Sequence, residues 1–473
     1  MHTVENESQP AQAIAEIKKA VPWIYFVIFF AVFNESVFNV STPNIARQFG
    51  LDAAGVSWVV TIFFIVFGMG MVIFGKLSDI FNIRTLITIG IILYGFGSLL
   101  GFVGQSWYPA VILARAIQGA GGSAIPALVF VMVARYFSPQ ERGKLFGVIT
   151  STASFAVGIG PVLGGYIAAT FHWSFLFLAS LPVLAALPSF RRLLPVEPRR
   201  PGTIDVPGAV WLSTVVAMVI LFTTEGWWLY GVAALIALIL FMLRIRRAKE
   251  PFVHPALFAN RLYLSGVVIG FLIFGTVMSV MFVIPLMFSN LYSLNADQIG
   301  MLMFPGAMSA VVFGKVAGHL TVKRGSHFVV YLGLGLVSLS LLLQSSSVGW
   351  WVWYIGCSLI IMYIGFSLVQ TALAESITQI LPHERMGVGM GFFNMLSTIS
   401  GAVVTALVAK ALEQELFRFP FHPAISDPQA FMYGNLLLLL SLIVISTACL
   451  YVFTFGRRVP QQTRQPQPQD SLS

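Results

Sequence analysis

Charge is the scarcest commodity in this 473-residue chain. Asp, Glu, Lys and Arg make up 10% of it, against 57% hydrophobic residues, and mean hydropathy is +0.86. That balance excludes a soluble globular domain and defines a polytopic helical membrane protein. Cysteine is nearly missing. Cys357 and Cys449 both fall in apolar runs and read as small hydrophobes, which excludes a disulfide framework and a thiolate metal site. The seven histidines (His2, His172, His254, His319, His327, His383 and His422) lie in loops or at span ends without metal-ligand spacing, so no metal is expected. No phosphate-binding loop occurs, so ATP is not the energy source. The first twenty residues are polar and offer no cleavage site, so the first span is expected to be retained.

What is present is apolar and periodic. Hydropathy and turn residues give fourteen spans, centred near residues 31, 67, 95, 120, 158, 182, 215, 236, 276, 310, 337, 363, 399 and 443. The net charge of +9 is explained by where the cations fall. With the N-terminus cytoplasmic, only Arg47, Lys410 and Arg418 lie in outer loops and Arg115 lies inside a span; every other Lys and Arg is on the inner side. The basic excess is therefore topological, and no nucleic-acid role is expected. Both termini are placed in the cytoplasm. Trp58, Trp107, Trp173, Trp227, Trp228, Trp350, Trp351 and Trp353 fall at outer span ends, as an interfacial aromatic belt would.

Two segments recur. Gly75-Lys76-Leu77 returns as Gly314-Lys315-Val316, 239 residues on, and Pro139-Gln140-Glu141-Arg142 returns as Pro382-His383-Glu384-Arg385, 243 residues on. Spans 1–6 and 9–14 thus read as two copies of a six-helix unit. The division is a cytoplasmic segment (1–20), a first bundle (21–204), an inserted transmembrane hairpin (205–245), a second bundle (246–458) and a disordered Pro/Gln-rich tail (459–473). Repeated helical halves with a site between them are the build of secondary transporters.

One residue organises the functional reading. The run VPWIYFVIFFAVFNESVFNV (21–40) holds a single charge, Glu35, beside Asn34 and a turn before Asn39. A charge in a span costs roughly 2.5–3.5 kcal/mol on insertion scales and is kept where it binds protons, ions or substrate. Span 4 carries ARAIQGAGGSAIPA (114–127), in which Arg115 and Gln118 share a face and Gly119, Gly121 and Gly122 thin the helix. Counting along the helices puts Glu35 and Arg115 at one depth, which makes them candidates for one electrostatic unit. GKLSDIFNIR (75–84) joins spans 2 and 3; Gly75 permits close helix approach, and Asp79 with Arg84 is the expected charge clamp. Span 5 carries AVGIGPVLGGYIAA (156–169), with a small-residue seam at Ala156, Gly160, Gly164 and Ala168 and a kink at Pro161. Glu375 in span 12 is expected near the inner interface, snorkelled or facing a loop.

GKLSDIFNIR, RAIQGAGG and GIGPVLGG, in this order and on these spans, resemble the major facilitator superfamily. The Gly-Pro motif of span 5 resembles that of its antiporters, and fourteen spans with a central hairpin resemble the 14-helix drug:proton antiporters. FNESVFNVSTPNIARQF (33–49), FPGAMSAVVFGKVAGHL (304–320) and EPFVHPALF (250–258) look like the Gram-positive tetracycline exporters. The resemblance implies an all-α major facilitator fold and no enzymatic activity. It implies a plasma-membrane antiporter that exports a drug-like amphiphile, driven by the proton motive force and needing no cofactor. Small-molecule substrate, protons and membrane lipid are the expected partners, and a monomer the expected state. Export of an endogenous metabolite or of a monovalent cation is the alternative. On the resemblance, Glu35, Arg115, Asn34, Asn39 and Gln118 handle proton and substrate. Gly75, Asp79 and Arg84 form the gate, and Gly158, Gly160, Pro161, Gly164 and Gly165 the antiporter helix motif. Two positions depart from those exporters, which carry acids where this chain has Val157 and Gly401.

Overall fold

Long apolar runs can satisfy their backbone in a membrane only as helices, and helices account for the computed structural model of the chain. The structure describes residues 5–455, apart from 39, 40, 52, 198–202, 204, 295, 424 and 426. Among these residues 13 helices are long and apolar enough to cross a membrane, and there is no strand. The first apolar run lies in a further helix, α1 (Glu5–Val37). The polar segment ahead of the first span is therefore helical from Glu5 and continuous with it. The expected tail, 459–473, lies outside the described residues.

A short helix α2 (Thr42–Phe49) precedes α3 (Ala53–Ile80), α4 (Ile83–Val103), α5 (Tyr108–Tyr136) and α6 (Pro139–Thr170). The sixth span is not one helix. It is built from α7 (Phe175–Leu178), a 3₁₀ turn over Leu181–Ala186 and α8 (Leu187–Leu193). Pro182 and Pro188 lack the amide protons a continuous helix would need there. The hairpin is α9 (Val206–Glu225) and α10 (Trp228–Arg247). After a short α11 (Pro255–Ala259) come α12 (Arg261–Tyr292), α13 (Ala296–Arg324), α14 (Ser326–Ser346), α15 (Val352–Ile380), α16 (Met386–Glu413) and α17 (Phe431–Phe455).

In the first half α5 packs against α3 and α4, and α1 against α6; in the second, α15 packs against α14 and α13, and α12 against α16. The halves meet along α3 with α16 and α6 with α13. The hairpin helices pack on each other, and α9 leans on α3 and α16. Its base is tied by Asp205, whose side chain is 1% exposed. One carboxylate oxygen accepts from the Arg244 Nε at 2.8 Å and the Gly208 amide at 3.2 Å, and the other from the Phe252 amide at 3.3 Å.

At the end of the bundle that carries α2, Gln48 collects the loops: its side-chain carbonyl accepts from the Trp173 indole at 2.6 Å, and its amide donates to the Gln105 carbonyl. Trp173 is consequently buried, 3% exposed, and is not part of the aromatic belt. Trp107, Trp227, Trp228, Trp350, Trp351 and Trp353 are exposed at helix ends. Cys357 and Cys449 are exposed, on apolar helix faces.

Candidate functional site

The glycines of α5 serve close packing on two sides. A Cβ at Gly119 would lie 2.7 Å from the Phe63 carbonyl of α3, and one at Gly121 would strike the backbone of Tyr94 and Gly90 in α4. That approach carries Arg115 into the protein interior, where it is 0% exposed. Its guanidinium lies between two rings, 4.1 Å from the Phe38 centroid and 4.2 Å from Phe63. A desolvated cation between aromatic faces gains about 2 kcal/mol or more. Nε donates to the Val59 carbonyl at 3.0 Å, and Nη1 to Asn34 Oδ1 at 2.7 Å and Gln118 Oε1 at 3.0 Å. Nη2 is buried and has no hydrogen-bond partner among the described residues.

The network continues outward from Arg115. Gln118 donates to Ser98 at 2.8 Å, Asn34 donates to Ser180 at 2.7 Å, and Tyr94 donates to the Phe30 carbonyl at 3.1 Å. Five elements of the first half are thereby joined at one buried cation. The Asn34–Arg115 bond shows that α1 and α5 do bring these residues to one level. The direct partner, however, is Asn34. No ion pair joins Glu35 to Arg115, although each lies in the other's electrostatic field. The reason is the helix phase: Asn34 and Glu35 are adjacent, so they point about 100° apart, and Asn34 holds the buried position while Glu35 is half-buried. Since α1 ends at Val37, Glu35 sits in its last turn. Asn39 lies outside the described residues.

The gate residues also regroup. Asp79, at the end of α3, accepts from Arg135 Nη2 at 2.6 Å, from the Gly387 amide at 3.0 Å and from the Val388 amide at 3.2 Å. A carboxylate on the first amides of a helix, here α16, meets both free N–H groups and the positive end of the dipole. The ion pair is nearly buried, with side chains 9% and 5% exposed for Asp79 and Arg135. Arg84 is not the partner. Its backbone opens α4, donating to Asn82 Oδ1 at 2.8 Å, and its half-buried side chain makes no ion pair among the described residues. Gly75 does what close approach requires, since a Cβ there would lie 2.5 Å from the Gly387 carbonyl oxygen.

On α6, Ala156, Gly160 and Gly164 are buried and Ala168 half-buried, while Phe155, Val157, Leu163 and Tyr166 on the remaining faces are exposed. The helix packs with α1 and α13; a Cβ on Gly158 would lie 3.3 Å from the Ala307 Cβ, and one on Gly165 would meet nothing within 4 Å. Pro161 lies within the helix. Val157 is 39% exposed, and a Cβ on Gly401 would meet Met278 at 3.1 Å. Glu375 is buried, 1% exposed, and not loop-facing. It accepts from Gln379 at 3.0 Å and Thr378 at 3.4 Å on its own helix.

Sequence reasoning missed Arg135, Ser98, Ser180 and the α16 amides. The serines carried a usable signal, as hydroxyls within apolar spans; the amides carried none, because a backbone donor leaves no mark in the sequence.

These helices match a known architecture. Residues 24–405 match the model of the Major Facilitator Superfamily, and the chain belongs to that family. It is a transporter of the all-helical major facilitator fold and not an enzyme. It is 27% identical over 410 residues to the riboflavin transporter RibZ of Clostridioides difficile (strain 630), covering 83% of this chain and 89% of that one. It is 30% identical over 245 residues to the puromycin resistance protein pur8 of Streptomyces alboniger, a match of 49% of this chain and 48% of that one. The fold superposes on the crystal structure of the human organic anion transporter MFSD10 (TETRAN) with a TM-score of 0.64 at 15% identity, over 90% of this chain and 99% of that one.

Proposed function

We propose that this protein is a proton-coupled antiporter that exports a drug-like amphiphile by alternating access of two six-helix bundles. The observation that carries the reading is Arg115: a fully buried guanidinium whose Nη2 has no hydrogen-bond partner among the described residues, in the electrostatic field of the half-buried Glu35. A fixed cation beside a titratable carboxylate lets proton and cationic or chelated substrate compete for one site. In this reading fourteen spans cross the plasma membrane and both termini are cytoplasmic. The hairpin 205–245 is an accessory, and the seam of α6 limits proton leak. No cofactor takes part, and the unit is a monomer. The Asp79 latch then closes the cytoplasmic end. Resistance-protein relatives support a drug substrate, and tetracycline is one member of that class. A relative matched over 89% of its length is a riboflavin transporter, which supports a second reading, export of a flat heteroaromatic metabolite.

The test is flux into inverted vesicles with an imposed pH gradient, over a panel of tetracycline, puromycin, a cationic dye and riboflavin. One panel compound should be accumulated, and Glu35→Gln, which keeps size and removes titration, should abolish the gradient-driven part at equal expression. Near wild-type gradient-driven flux in Glu35→Gln would move the coupling site elsewhere, with Glu375 the next carboxylate to test.

A further inference from the structure

A crevice between α3 and α9 has no part in the transport cycle described so far. Its volume is about 540 Å³, within the roughly 300–1,000 Å³ of small-molecule sites. Met69 and Ile73 form one wall, Ala209, Ala217 and Met218 the other. The hydroxyl of Thr214, also in the wall, is satisfied by its own helix at the Val210 carbonyl. At one end stands Lys76. It is half-buried, and among the described residues its ammonium has neither a hydrogen bond nor an ion pair.

The acids nearby are already engaged. Asp79 holds Arg135 and two amides, Asp205 holds Arg244, Gly208 and Phe252, and Glu250 accepts from Thr203 at 2.7 Å. Glu250 is held by neutral donors and keeps its charge, and Lys76 lies in its field and in that of Asp79; Arg385 adds a further cation at this end. Burial, and then the charges of Arg385 and Lys76, hold the loop residue His254 below its ordinary pKa. So a largely apolar trough lies along α3 and α9 and is bordered by a cation that no hydrogen bond or ion pair holds among the described residues.

We propose that this crevice holds one anionic phospholipid from the leaflet at the basic-loop end, with its headgroup phosphate on Lys76 and an acyl chain along Ile73, Met69 and Met218. Acyl chains are what a lipid-facing apolar trough meets, and the lysine is what would distinguish an anionic headgroup from a zwitterionic one. Lysine suits the position because its stem lies along apolar surface while its ammonium reaches the interface. The internal repeat supplies a control. Lys315 occupies the position of Lys76 in the second half but is exposed, and the hairpin leans on α3 and α16. The inference uses only the membrane-spanning reading of α3 and α9, so it stands or falls separately from the substrate and from proton coupling.

The experiment is native mass spectrometry of the full-length protein in detergent, titrated with phosphatidylglycerol or phosphatidylethanolamine of identical chains. Wild type should retain one phosphatidylglycerol at about fivefold lower lipid concentration, the preference that roughly 1 kcal/mol from one lysine provides. Lys76→Gln should erase that preference and Lys315→Gln should keep it. Ala209→Phe, which fills the trough while leaving Lys76 in place, should remove the adduct. Equal retention of the two lipids by wild type, or an undiminished preference in Lys76→Gln, overturns the proposal. Should Lys76→Gln not purify, full retention by Ala209→Phe overturns it instead. Displacement of the bound phosphatidylglycerol by a transported panel compound also overturns it, because the crevice would then be a substrate entrance.

Discussion

Two helix crossings bring the halves together at the basic-loop end, and they are copies of one another. In the first, Gly75 of α3 meets Gly387 and Gly391 of α16; in the second, Gly314 and Gly318 of α13 meet Gly147 and Gly143 of α6. The repeat places Gly318 where the first half has Asp79, 239 residues earlier. Backbone therefore lies against backbone in both seams, but only the first carries a carboxylate. To open α3 from α16, Asp79 must leave two amides of α16. Between α13 and α6 small surfaces separate, and Ser151 at that seam donates within its own helix, to the Gly147 carbonyl at 2.9 Å; beside it Thr371 of α15 donates to Thr150 of α6 at 3.2 Å. At the α6 side the polar hold is one hydroxyl contact and the field of Arg142 on Glu375, while a buried ion pair and two amide bonds close the α3–α16 crossing, so that crossing sets most of the cost of opening this end.

The largest effect that would test this difference is expected from Asp79→Ala. It leaves Arg135 buried without its counter-charge, a loss of about 3–5 kcal/mol for a buried pair, and removes the hold on α16. With the exposed Cys357 and Cys449 replaced, spin labels at Thr85 and Glu384 should report a longer and broader distance distribution than in the parent. An unchanged distribution would mean that the charge does not hold the seam. Gly318→Ala should come next. Its Cβ would lie 2.5 Å from the Gly143 carbonyl oxygen and 3.0 Å from the Lys144 Cα, neither of which can yield, and overpacking of this kind costs about 1–3 kcal/mol. The melting temperature in detergent should fall, with less opening between Thr85 and Glu384 than in Asp79→Ala; equal opening would erase the asymmetry. Arg84→Gln should do least, within about 0.5 kcal/mol for a residue outside any buried network. A label distance matching that of Asp79→Ala would restore the clamp expected from the sequence.

The helical membrane fold was legible because apolar run length and period are written in composition. The level shared by Asn34 and Arg115 was legible because helical rise converts residue counts into depth. What failed to transfer was angular. A span can be located to within a turn without knowing which of two adjacent residues faces inward, and that is how Glu35 was expected where Asn34 stands. Arg84 was expected to pair with Asp79 because the two lie on one loop. The partner that won, Arg135, comes from another helix, and proximity in sequence gives no view of it. The break in the sixth span was visible in Pro182 and Pro188, but the apolar run around them outweighed the two residues. Glu375 was expected to reach water because burying a carboxylate is costly; Gln379 and Thr378 on its own helix offset that cost locally.

The knot at the base of the hairpin has a consequence for how such a chain could have been assembled. Asp205 joins the start of α9 to Arg244 and Phe252, and Thr203 is joined to Glu250. The two points at which the hairpin leaves and rejoins the bundle are thus stitched to each other, like the neck of a drawstring bag. A segment closed in this way can be gained or lost as a module, since the flanking helices are left the same short gap to bridge whether it is there or not.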